Sequence, residues 1–169
     1  MSDIPKQETV KRVERRNGRL HSIHEIRDKT GRVVSHVATP LKVELHGDDI
    51  AQLVAGACVM AIPIAFTEEV WNLGTTLGAD RIVLVMLTSL VTLGFFVRSL
   101  FYPGKQLGEY RADFIKRVAV GYVVTLTVAM LLLVLIDKGP LDGYLLALKR
   151  AVLIAFPASF AATAVDYIK

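Results

Sequence analysis

Two adjacent carboxylates stand at the end of an uncharged run. Ile50 to Phe66 carries no charge, and Thr67, Glu68, Glu69 and Trp71 follow it. At the rise of an α-helix that run is roughly 25 Å long, close to the thickness of a bilayer's hydrocarbon core. A carboxylate at membrane depth is costly, so it is read first as a functional group. Pro63 lies five residues before Glu68. Its ring has no N–H to donate, which frees a carbonyl near Val59. Carboxylates beside a freed carbonyl can line a cation path, and one Glu per chain in an oligomer would form an acidic, cation-selecting ring. Glu69, Glu68 and the neighbouring Thr67 are therefore the ion-pathway candidates.

A structural role competes with that reading. Lys149 and Arg150 begin the fourth apolar run and fall at the same expected depth as the Glu pair. Opposite charges there could pair and fix helix register. Arg98 and Asp166 are matched in the same way at the other end. Pro63, Trp71, Arg98, Lys149, Arg150 and Asp166 are thus candidates for helix interfaces or anchoring. Trp71 has the character of an interfacial anchor. Ala51, Ala55, Cys58, Ile62, Ala65 and Glu69 recur at spacings of four and three. That predicts one helix face of mostly small residues, with Glu69 turned toward protein.

The elements that must position these groups are four apolar segments. Spans are predicted over about 50–71, 82–102, 116–136 and 144–168. Asp48 and Asp49 suit the start of the first. Phe101-Tyr102-Pro103-Gly104 marks an interface and a stop after the second. Pro157 inside the fourth is tolerable where neighbouring helices satisfy the freed carbonyl. Residues 1–47 differ sharply from this. Residues 1–18 read as a short helix or a tail. LHSIHEIR and RVVSHV flank Asp28-Lys29-Thr30-Gly31 and predict a β-hairpin, with LKVEL (41–45) as a possible third strand. The expected fold class is a membrane all-α protein, residues 48–169, with a small β-rich cytoplasmic N-terminal domain, residues 1–47.

Composition agrees with a membrane class. Hydrophobic residues make up 53% of the 169, and they are concentrated after residue 49 rather than mixed through the chain. The net charge of +4 fits loops facing anionic lipid, and no nucleic-acid motif accompanies it. One cysteine, Cys58, excludes an intrachain disulfide or a cysteine-based zinc site. His21, His24, His36 and His46 lie in the N-terminal segment, where His21 and His24 have opposite strand parity; no metal site is predicted. Residues 1–49 hold no signal-like apolar stretch, so the first span is expected to act as the insertion signal. No P-loop, dinucleotide fingerprint, His-Glu-x-x-His or Gly-x-Ser-x-Gly motif is present, and neither an enzyme nor a cofactor is expected.

Positive charge sets the expected orientation. Ten Lys and Arg residues precede residue 50, and Arg98, Lys105, Arg111, Lys116 and Arg117 surround the middle loop, against Arg81 alone between the first two spans. That asymmetry places both termini in the cytoplasm.

Pro63-Ile64-Ala65-Phe66-Thr67-Glu68-Glu69-Val70-Trp71 resembles a Pro-x-x-(Phe/Tyr)-Thr-x-Glu-x-Trp signature in an uncharacterised group of bacterial integral membrane proteins. Val54-Ala55-Gly56-Ala57 is similar to that group's run of small residues before the motif. The resemblance implies a bacterial inner (plasma) membrane. It singles out Thr67, Glu69 and Trp71 and supplies no activity. From the residues, the leading expectation is an oligomeric, cation-preferring channel whose partners are the bilayer, its own copies and inorganic ions. The alternatives are a small proton-coupled exporter and a membrane scaffold or sensor that transports nothing.

Overall fold

The structure, a computed structural model, describes residues 10–16, 19–27, 33–40, 47–103, 110–139 and 143–168. The chain divides into two units, Met1–Glu44 and Leu45–Lys169. In the first, strands β1 (Val10–Arg16), β2 (Arg19–Arg27) and β3 (Val33–Pro40) pair antiparallel in the order β1-β2-β3. Arg16 faces Arg19 in the ladder, which leaves Asn17-Gly18 between the strands. Asn-Gly is the strongest short-range signal for a two-residue hairpin loop. A strand therefore replaces the expected helix or tail over residues 10–16.

The expected fold class needs correction. Buried residues such as Leu53, Leu93, Leu133 and Ala158 lie in helices of the second unit. The class they define is membrane all-α with four apolar helices. The β-rich N-terminal domain is the part of the expectation that is not supported. The expected third strand at 41–45 and the turn at 28–31 lie outside the described residues.

The second unit contains α1 (Gly47–Ala65), α2 (Glu68–Thr76), α3 (Ala79–Phe101), α4 (Arg111–Leu135) and α5 (Tyr144–Ile168). Four of these, all but α2, are long and apolar enough to cross a membrane. At 19 to 25 residues they span about 28–38 Å. The expected first span, 50–71, is in fact two helices, because α1 stops at Ala65.

α5 is the central helix and packs against α1, α2, α3 and α4. Its buried face repeats small residues at 147, 151, 155, 158 and 162, all alanine. Gly56, Ala57, Ala61 and Ala65 of α1 are buried with them. Small side chains let membrane helices approach closely where lipid provides no hydrophobic drive. The approach is tightest at Gly56, where an added Cβ would lie 2.7 Å from the Ala162 Cα. Large apolar residues point outward instead, among them Val59, Phe95, Leu131 and Leu135. In water such a surface would be an association hazard, whereas in a bilayer it faces lipid.

The buried face of α1 is not the predicted one. Ala51, Ala55 and Ile62 are exposed and Cys58 is half-buried. Ala65 is buried as predicted, and Leu53, Gly56, Ala57 and Ala61 are buried in place of the others. Helical periodicity found a real stripe but could not choose between neighbouring ones. Gly56 settles the choice, since only a residue without a Cβ fits the α1–α5 crossing.

Candidate functional site

The motif residues build a helix break. Pro63 occupies the last turn of α1. Thr67 has extended backbone, with ψ 135°, and so ends the helical path before α2 begins. Its N–H donates to the Ile64 carbonyl at 3.0 Å, and its hydroxyl donates to the same oxygen at 2.8 Å. The Trp71 indole N–H reaches back to the Ala65 carbonyl at 2.8 Å. Two of the carbonyls left over at the end of a helix are thereby satisfied by side chains one turn further on. The motif's spacing follows from this geometry, with a breaker, a hydroxyl just after the break and an indole one turn into the next helix. Lys138 stands over the Trp71 ring at 4.9 Å. Trp71 thus has a local capping role that its type alone did not reveal.

Replacing Trp71 by Phe keeps the ring but removes the N–H that serves Ala65. The expected cost is about 1–2 kcal/mol. Unfolding of wild type and variant in mixed micelles with increasing dodecyl sulfate measures it.

Glu68 and Glu69 form the first turn of α2, where negative charge complements the helix dipole. Both are exposed, which corrects the expectation that Glu69 faces protein. The phase of α1 does not carry across the break. Neither Glu forms an ion pair among the described residues.

The cations expected to pair with them sit elsewhere. Lys149 donates to the Leu77 carbonyl at 2.7 Å, and Leu77 is the C-cap of α2. Arg150 donates to the Lys138 carbonyl at 3.0 Å, and its aliphatic stem lies against Gly74. Glu69 and Leu77 are eight residues apart along α2, or about 12 Å. Lys149 therefore complements one end of the short helix and the two Glu residues the other. Matching depth in the sequence was correct to within a helix length, and that length separates the charges.

The opposite end of the bundle holds an ion cluster that sequence reasoning missed. Arg117 of α4 is 3% exposed and bonds Asp166 of α5, which is also 3% exposed. Asp49 of α1 is 3.8 Å from the same guanidinium. The guanidinium also stacks over Phe101, at 4.0 Å from the ring centroid, and Phe101 meets Tyr167 edge-on. One buried Arg thereby ties α1, α3, α4 and α5 together. Asp166 was expected opposite Arg98. Arg98 donates to the Tyr102 carbonyl and closes the end of α3. Just past that span, Tyr102 is buried against Tyr110 and Phe114. Burial raises its phenol above the usual pKa, Arg117 acts against that, and Asp113 acts with it. The available signal for Arg117 was its position at the edge of the uncharged run 118–136, where a charge must find a partner. Counting it only as loop charge hid that.

No group of three or more His, Cys, Asp or Glu residues arranged to hold a metal occurs among the described residues.

Four apolar helices wrapped around a core of alanines, with charge confined to their ends, define a multi-span α-helical integral membrane protein. A family model described as "Putative integral membrane protein (DUF2391)" matches residues 17–167, and the chain belongs to that family. No curated protein and no solved structure matches the chain.

Proposed function

We propose that the protein is a homo-oligomeric, cation-preferring ion channel of the bacterial inner membrane, without enzymatic activity or cofactor. Glu68 and Glu69, with Thr67 beside them, form the acidic mouth. The observation that carries the reading is their availability. Both are exposed at a helix break beside the membrane boundary, and the nearby cations are engaged with backbone carbonyls about a helix length away. The α1–α5 crossing at Gly56 leaves no room for a path between those helices, so the permeation path runs between copies. The Lys/Arg asymmetry supports cytoplasmic termini and places the Glu pair on the outer side.

The test is flux into liposomes holding purified protein, with potassium, sodium, calcium and chloride offered separately. Wild type is expected to pass cations. Glu69→Gln combined with Glu68→Gln is expected to reduce that flux at least several-fold while the oligomer stays intact. Unchanged flux in the double variant contradicts the acidic mouth.

A small proton-coupled exporter is the second reading. The observation in its favour is the buried Arg117–Asp166–Asp49 cluster, a set of carboxylates within the helical bundle. It gains ground if Asp166→Asn abolishes proton-driven transport while Glu69→Gln leaves it intact.

A further inference from the structure

The first turns of α4 present two cations outward. Arg111 and Lys116 are exposed, and neither forms an ion pair or a hydrogen bond with a side chain among the described residues. The acids near them are turned the other way. Asp49 and Asp166 lie against Arg117, which is buried. Asp113, between the two cations in sequence, is half-buried and acts on the phenol of the buried Tyr102. Left to itself this arrangement is unfavourable. A helix N-terminus carries partial positive charge, and Arg111 in the first turn adds to it. Tyr110, the N-cap, supplies no side-chain cap. Negative charge from outside the chain offsets both cations.

The surface beside the cations narrows the class of anion. Arg111, Ala112, Ile115, Lys116, Ala119 and Val123 are all exposed, and their spacing places them on one arc of α4. Arg111 and Lys116 are five residues apart, or about 140° around the helix and about 7.5 Å along it, so they stand at the two edges of that arc. The apolar members lie between and beyond them, with Ile115 63% and Val123 60% exposed. α4 is long and apolar enough to cross a membrane, and its uncharged run begins at Val118. The cations therefore sit where headgroups meet hydrocarbon, and the apolar strip continues from them into the hydrocarbon. A soluble anion would use the cations alone. A lipid with a net negative head uses the cations and the strip together. A zwitterionic lipid brings an ammonium group of its own toward the same two cations.

We propose that Arg111 and Lys116 bind the headgroup phosphate of an anionic phospholipid whose acyl chains lie along Ile115, Ala119 and Val123. The site is separate from the Glu68/Glu69 mouth and does not depend on whether the protein conducts ions.

Native mass spectrometry of the purified protein, titrated with dioleoyl phosphatidylglycerol or dioleoyl phosphatidylcholine, tests it. Wild type is expected to retain phosphatidylglycerol in clear preference. Arg111→Gln and Lys116→Gln are each expected to weaken that binding about five-fold, the effect of one basic side chain at an anionic surface. The double variant is expected to lose the preference, with phosphatidylcholine binding unchanged. Arg81→Gln, which removes an exposed cation at the start of α3, is expected to change neither. Equal retention of the two lipids by wild type overturns the proposal, as does a double variant that still prefers phosphatidylglycerol. An equal loss in Arg81→Gln overturns it as well, because net charge rather than a site would then set the preference. Displacement of the lipid by glycerol 3-phosphate at matched concentration would mark a site for soluble anions and overturn the assignment to lipid.

Discussion

Replacing Arg117 by leucine is expected to cost the fold about 3–5 kcal/mol. Arg117 bonds Asp166 directly, and it is also within ion-pair distance of Asp49. Removing it takes the bonded cation away from Asp166, a carboxylate 3% exposed. The loss also removes a cation from the face of Phe101. A second change separates charge from packing. Adding Asp166→Asn to Arg117→Leu is expected to recover a large part of the loss, since the stranded carboxylate is then neutral. Arg117→Lys is expected to recover less than Arg117 provides, because an ammonium cannot present the planar fork that serves two carboxylates and an aromatic ring. Chemical unfolding of the four proteins in the same detergent is the measurement. A double variant as unstable as Arg117→Leu would mean that side-chain volume, not charge, holds the cluster.

The second large effect is expected at the α1–α5 crossing. Gly56→Val is expected to cost about 3 kcal/mol or more, the upper range for overpacking, because the obstacle is backbone. Even the first added carbon would stand 2.7 Å from the Ala162 Cα and 2.8 Å from the Ala161 carbonyl oxygen. Neither atom can move without shifting α5, on which all the other helices pack. Gly94→Ala is the control. Its new Cβ would sit 3.7 Å from the tip of the Phe114 ring, an ordinary contact. It is expected to be neutral or to gain up to about 1 kcal/mol from helix propensity. Equal losses at the two glycines would contradict the role given to close approach.

Much of this was legible in the chain, for identifiable reasons. The four apolar runs are dictated by residue type, since no run of that length can stay out of a membrane or a large core. Their ends were less legible. The 50–71 run looks continuous because proline is common in membrane helices, and Pro63 alone does not announce a stop. The stop is made by Thr67 and Trp71 bonding back to Ile64 and Ala65, a three-dimensional fact spread over eight residues. The motif was thus visible as a group before its mechanical role was. Burial of α1 was offset by one or two positions, because alanine and valine at neighbouring phases give similar stripes and only the Gly56 contact with Ala162 distinguishes them. Charge pairing was the least legible feature. Depth along a span can be counted, but Arg98 and Arg117 both suit Asp166 by depth, and the bond from Arg117 depends on how α4 packs on α5.

The most direct test of the proposed function is the reversal potential across a planar bilayer with a potassium chloride gradient. Wild-type protein is expected to hold a potential on the potassium side of zero. The protein with Glu68→Gln and Glu69→Gln is expected to move toward zero, with its oligomer intact. A wild-type potential on the chloride side, or one that the double variant leaves unchanged, would contradict an acidic, cation-selecting mouth.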